Sequence, residues 1–472
     1  MFSNELWQKS GVSTYSIDQS IRFNDGDSPI LKKTYSSAGT EETFTLSMWV
    51  KRGNIGAGLG AANLGLTLFS GGASVSNYGE IVFRSSGYGV QDSLHFYNSA
   101  SGSINFQLVT TQLFRDPSAW YHIVCVMDTT NAVVSERMRI YVNGLRVTDF
   151  STETYPSQNA VPNFNTATEH GIGGFAVSTD TRFFDGYLAE IVFLDGTATD
   201  SSSFGEYNSS GIWIPKDVSD LTFGTNGFHI DGRDSADLGD DESGNGNDFT
   251  TSGLASHDQV PDSPTNNFAV LSPIDKGSMT LSEGNLKGTS GSSSVWQTSK
   301  ATIGVKSGKW YWEVRAGGTT YNLHGTVGLA QTLSTTSSIH PGVPSDGYGW
   351  YGTNGAIYHN GGQIATESTY TTGDIISFAL DLDDSGGILT AYKNGVSEGN
   401  LTTTYKTADT DDFIFPAVGL LVSDTCIINF GQDGTFAGNV TAGGNSDGNG
   451  IGNFKYSVPS GFLALCTKNL GS

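Results

Sequence analysis

Residues 43–50 alternate, with Phe44, Leu46, Met48 and Val50 on one side and Thr43, Thr45, Ser47 and Trp49 on the other. A period of two belongs to a strand that lays one face on a core. Residues 120–128 are apolar on both faces and read as a central strand. Residues 139–147 read as a hairpin, because Asn143-Gly144 supplies the two positive-φ positions of a type I′ turn. Residues 186–194 close this first series. A second series follows at 309–314, 347–352, 374–383, 389–396 and 415–420, each block rich in aromatic and β-branched residues and bounded by Gly, Asn or Asp. Trp310 and Trp312 share a strand face and read as core. No long segment places apolar residues at the helical spacing, so the pattern predicts an all-β chain of two antiparallel sandwiches.

Between the two series the pattern breaks. Residues 206–275 are dense in Asp, Gly, Ser, Asn and Pro, and read as a connector. The expected organisation is an N-terminal segment at 1–20, a first sandwich at 21–205, the connector at 206–275 and a second sandwich at 276–472.

Composition agrees: 62 Gly with only 15% charged residues disfavours helices and suits short strands joined by turns. The net charge of −23 repels phosphate backbones and anionic headgroups, so neither nucleic acid nor membrane is an expected partner. Three scattered cysteines, Cys125, Cys426 and Cys466, offer no metal spacing and no disulfide framework. Residues 1–7 have neither a basic start nor an apolar run, so no secretory signal is expected.

Three sets of phrases resemble known families. The Trp-containing strand at 43–50, Trp120-Tyr121-His122, Tyr141-Val142-Asn143-Gly144 and Gly186-Tyr187-Leu188-Ala189-Glu190 together resemble laminin-G and pentraxin domains of the concanavalin A-like jelly-roll class. The second series resembles a SPRY domain, whose loops bind ligands that are most often proteins. Residues 244–247, Asp262-Ser263-Pro264-Thr265-Asn266-Asn267-Phe268 and the tail at 458–470 resemble structural proteins of marine tailed phages, in which a laminin-G-like domain is joined to a SPRY domain. That last resemblance implies a virion surface protein, of fibre or decoration type, that adsorbs to a host glycan or protein. It also implies other virion subunits as partners, a homotrimer, and release by lysis. Phe2, Leu6 and Trp7 are the expected docking anchors on the particle.

Catalysis finds little support in the sequence. Glycoside hydrolysis needs two carboxylates a few ångströms apart, which concanavalin A-like glucanases supply as Glu-x-Asp-x-x-Glu. Glu190 to Asp195 is the nearest run and has the wrong parity. No zinc-protease, nucleophile-elbow or phosphate-loop motif is present. The chain is therefore expected not to be an enzyme, with a glycan depolymerase and a purely architectural subunit as the alternatives. The candidate ligand-binding residues are Trp350, Tyr351, Asn354, Tyr358 and Asn360, which place rings for stacking and amides for hydroxyls around Gly-rich turns.

No cofactor is expected. Asp241, Ser243, Asn245 and Gly246 fit the start of an EF-hand-like loop, but Ser252 stands where the bidentate Glu belongs. With Asp237, Asp240 and Asp248 they leave an irregular Ca²⁺ loop as an alternative to a solvated turn. Asp92, Asp128 and Asp185 are further carboxylates for which turn-capping is the favoured reading.

Overall fold

The computed structural model describes residues 15–55, 65–178, 182–291, 294–318, 322–328, 339–405 and 413–471. Phe2, Leu6 and Trp7 lie outside them. The chain is nearly all-β and divides into two compact units, residues 1–265 and 266–472.

In the first unit two large antiparallel sheets face one another. One takes, in lateral order, Leu145–Arg146, Met138–Val142, Trp120–Asp128, Thr43–Arg52, Gly186–Asp195, Ser20–Phe23 and Gln259–Val260. The other runs Phe150–Thr154, Ser103–Leu113, Ser93–Ala100, Asn77–Arg84, Gly65–Ser74, Glu169–Ile172, Ile30–Thr34 and Thr250–Ser252. Phe44, Leu46, Met48 and Val50 enter the core between them, as their alternation requires. The Asn143-Gly144 turn has φ of 48° and 84° and pairs Val142 with Leu145.

Residues 206–265, expected as connector, are folded into this unit. The reason lies in the strand that is apolar on both faces. Ile123, Cys125 and Met127 point into the core, while Val124 and Val126, with Val192 and Leu194, form a second apolar face on the far side of the sheet. Phe204, Val218 and Phe223 cover it. Next to this patch Trp213 lies on Gly144 and Gly205, where a built Cβ would fall 2.4 and 2.5 Å from the indole, and its Nε1–H donates to His122 Nδ1 at 3.0 Å. His122 is fully buried, which holds its imidazole at about 3, and its other nitrogen bonds Ser47 at 2.8 Å. Phe228–Ile230 then adds to the sheet beside Ile191–Phe193. Buried ion pairs finish the closure: Lys51 with Asp262 at 2.7 Å and Arg22 with Asp258 at 3.2 Å.

The second unit repeats the two-sheet plan. One sheet is ordered Thr280–Ser282, Lys287–Thr289, Thr425–Asn429, Lys309–Gly317, Ile375–Asp381, Ile388–Lys393 and Val396–Thr402. The other is Gln297–Lys300, Ile414–Leu420, Asn322–Gly328, Tyr348–Tyr351, Ala356–His359 and Gly362–Thr366. Trp310 and Trp312 are both core residues, and Trp312 stacks on Phe378 at 5.4 Å. Residues 266–271 belong here, with Phe268 bridged to Cys466. All three cysteines are buried free thiols.

Candidate ligand-binding site

The five residues singled out for ligand contact part company in the structure. Trp350 is fully buried in the second core, opposite Ile357, and its indole N–H donates to the Ser368 carbonyl at 3.1 Å. It cannot face a ligand, which corrects its assignment; on this strand the inward parity falls on Tyr348 and Trp350. Tyr351 and Tyr358 stand on the other parity and are half-exposed. Asn354 and Asn360 are exposed but serve their turns. Asn354 accepts the Ala356 N–H at 3.0 Å, and Asn360 holds the left-handed position at φ 48°. Asn adopts that conformation more readily than other side chains.

Two residues that the sequence did not single out complete the surface. Trp296, just before the edge strand Gln297–Lys300, and His340 are both half-exposed. The rings form a connected row: Tyr358 to His340 at 5.5 Å, His340 to Trp296 at 5.0 Å and Trp296 to Tyr351 at 5.7 Å. Glycine makes the row possible. A Cβ at Gly349 would meet the Pro341 carbonyl oxygen at 2.1 Å, and one at Gly419 would meet the Pro341 ring at 2.9 Å. Pro341 therefore lies directly on the outer face of the sheet, and its neighbour His340 sits among the rings. Thr298 holds this crossing by donating its hydroxyl to the Ile339 carbonyl at 2.6 Å. Burial lowers the His340 imidazole below its ordinary value, so the row is neutral at physiological pH. Such a surface offers π-faces and few charges. It suits the C–H face of a sugar or an apolar peptide side chain rather than an ion.

Only the long-range pairing of Gln297–Lys300 with Ile414–Leu420 reveals Trp296 as part of this surface. Nothing local distinguishes it from the core tryptophans.

In the loop weighed for Ca²⁺, Asp241 and Asn245 are engaged by protein groups. Asp241 Oδ1 accepts the N–H groups of His229 and Ser243 at 2.8 and 2.9 Å. Its Oδ2 accepts the Ser243 hydroxyl and the Asn247 N–H, both at 2.8 Å. Asn245 donates its amide to the Gly224 and Gly227 carbonyls. Asp128 accepts Thr130 and Asn131, a turn cap, while Asp92 is clamped between Arg52 and Arg115 and Asp185 Oδ1 accepts the Asn54 N–H. Among the described residues no three His, Cys, Asp or Glu groups gather as metal ligands.

Comparison with known proteins matches a stretch within each unit. Residues 24–202 match the concanavalin A-like lectin/glucanases superfamily, and residues 309–433 match the SPRY domain family. Among solved structures, the chain is similar to the SPRY domain of human HERC1, at 22% identity over 34% of this chain and 96% of that one, with a TM-score of 0.29. It is also similar to the TRIM65 PSpry domain, at 18% identity over 34% and 89% of the two chains, with a TM-score of 0.29. Stonustoxin shares 22% identity over 34% of this chain and 27% of its own, at a TM-score of 0.28. No curated protein matches. The chain is thus a two-module protein, a lectin-type sandwich followed by a SPRY sandwich. Such modules are usually non-catalytic binding units, and no catalytic family is indicated.

Proposed function

We propose that this chain is a non-enzymatic recognition protein on the surface of a tailed-phage particle, where it mediates adsorption to a host surface glycan or protein. The observation that carries the recognition role is the row of half-exposed rings formed by Tyr358, His340, Trp296 and Tyr351 on the SPRY sandwich. Large, rigid aromatic side chains on a neutral surface give contact area at low entropic cost, which is why they dominate binding hot spots. Support for the particle comes from the phrases at 244–247, 262–268 and 458–470, which resemble phage structural proteins. The N-terminal segment with Phe2, Leu6 and Trp7 would dock on neighbouring virion subunits, with a homotrimer as the assembled form.

Three measurements test this reading. Purified protein is incubated with host cells and its co-sedimentation followed, for the native chain and for Trp296→Ala combined with Tyr358→Ala. The double variant should bind about tenfold more weakly while melting as the native chain does. Equal binding by both would remove the aromatic row as the recognition surface. Incubation with host envelope polysaccharide should release no reducing ends; sustained release that survives repurification would establish a depolymerase instead. Deleting residues 1–12 should strip the protein from particles.

A further inference from the structure

The first sandwich carries a pocket of different chemistry on the outward face of its second sheet. In the strand Asn77–Arg84, Ile81 and Phe83 point into the core, so Glu80, Val82 and Arg84 look outward. Tyr97, Ile104 and Arg182 complete the walls with Tyr78.

Glu80 is fully buried and saturated. Its carboxylate accepts the Thr67 hydroxyl at 2.5 Å and pairs with Arg182 at 2.7 Å, and the Tyr97 hydroxyl also donates to it. His95 brings no charge. Burial holds its imidazole at about 3, it stacks on Tyr97 at 4.1 Å, and its Nε2 bonds Gln107 at 3.0 Å. Arg84 is different. Among the described residues its guanidinium has neither a hydrogen bond nor an ion pair, and its Nε is buried without a partner. The remaining charges of Glu80 and Arg182 cancel, so the pocket holds one uncompensated positive charge in a chain of net charge −23.

The Nε is shielded, but the terminal amino groups of Arg84 remain open to the pocket, and a carboxylate can take such a pair through a charge-assisted, fork-shaped contact. Beside it, Tyr78 is half-exposed and Ile104 is 44% exposed, giving an apolar ledge on which a sugar ring can rest. We infer that this pocket binds the carboxylate of an acidic sugar, a uronic acid within a surface glycan, with Arg84 as the anion-binding residue and Tyr78 and Ile104 under the ring. The site is independent of the aromatic row on the second sandwich, and each can fail without the other. The long-range field of the chain repels anions, so the affinity has to come from this contact itself.

Calorimetric titration of the full chain with a tetragalacturonate, and separately with its methyl ester, tests the inference. The acid should bind, and the ester should bind at least about tenfold more weakly, the loss of one charge-assisted contact. Arg84→Gln should weaken binding of the acid to the same degree with an unchanged melting temperature, because Arg84 bonds no other group among the described residues. Arg84→Lys, which keeps the charge but not the fork, should fall between. No binding of the acid, equal binding of acid and ester, or undiminished binding by Arg84→Gln would each overturn the assignment.

Discussion

In the first unit, four buried carboxylates are held by buried cations: Asp258 by Arg22, Asp262 by Lys51, Asp92 by Arg52 and Glu80 by Arg182, while Asp241 and Asp195 accept neutral donors. In the second, buried carboxylates are held by neutral donors. Glu313 accepts the N–H groups of Lys455 and Tyr456 at 2.9 and 2.8 Å and the Asn429 amide at 3.2 Å. Asp447 accepts the N–H groups of Asn449, Ile451 and Ala464 and the Asn469 amide. The ion pairs Lys300–Asp275, Lys309–Asp381 and Lys393–Asp374 of that unit are partly exposed. Both units use two stacked sheets and fold loop backbone onto carboxylates, but among the described residues only the first adds buried ionic clamps. A clamp is as vulnerable as its weaker partner, since either charge left alone in the interior is expensive. A carboxylate ringed by peptide N–H groups needs no cation but fixes the shape of the loop that supplies them. The surfaces differ in the same sense, with a charged pocket on the first sandwich and a neutral aromatic row on the second.

Breaking a clamp should have the largest effect. Asp262→Ala leaves the Lys51 ammonium buried, with burial already holding it below its ordinary value, and strips the acceptor of the Trp120 indole. The first unit should lose about 3–5 kcal/mol, read as an early transition in calorimetry. Lys51→Met with Asp262→Leu should recover most of it, because a well-packed apolar pair is often as stable as a buried ion pair.

The matching experiment in the second unit is Glu313→Gln. It turns one acceptor oxygen into a donor facing N–H groups, and should cost roughly 2–3 kcal/mol in denaturant titration. Burial raises the Glu313 carboxyl against the hydrogen bonds that lower it. A raised folded value means that this group's contribution is full below its unfolded value and is lost as pH rises through the folded one. The native protein should therefore show a component of stability that grows on acidification and is missing in the Gln variant.

His229 offers a smaller test on the first unit. Burial opposes its charged form, but the Glu190 hydrogen bond at 2.9 Å and the charges of Glu190, Asp231 and Glu242 outweigh burial and raise it. Its contribution is present below about pH 6.5 and disappears as pH rises through the folded value. His229→Gln should flatten the melting temperature across that window, a change of about 1 kcal/mol. A profile parallel to the native one would show that the dyad contributes no proton linkage.

The smallest effect should be a gain. His324 is fully buried in the second core, its imidazole held at about 3, and neither ring nitrogen has a hydrogen-bond partner among the described residues. His324→Leu should stabilise that unit by roughly 1 kcal/mol by removing an unsatisfied polar group. A loss would mean that the ring's packing on Tyr370, 6.0 Å between centroids, outweighs its polar cost.

Much of the architecture was legible in the chain. Parity placed Phe44, Leu46, Met48 and Val50 in a core, and the doubly apolar strand at 120–128 already required cover on both faces. Most of what supplies that cover was not legible, because Val218 and Phe223 stand as short apolar islands in polar sequence that reads as connector. Trp350 shows the same limit in reverse, since a Gly-flanked tryptophan has the same local signature whether it faces a core or a ligand.

The sequence by itself therefore determined the element type, the turn chemistry at Asn143-Gly144 and the two-sandwich plan. These depend on local periodicity and on backbone conformations that only certain residues adopt. Tertiary structure decided which strands lie side by side, and with them the sites. Trp296 reaches Tyr351 across a sheet assembled from distant segments, and Glu80 finds its cation in Arg182, almost a hundred positions away. A period of two assigns each side chain to a face, but the neighbours it meets there are chosen by long-range pairing and packing.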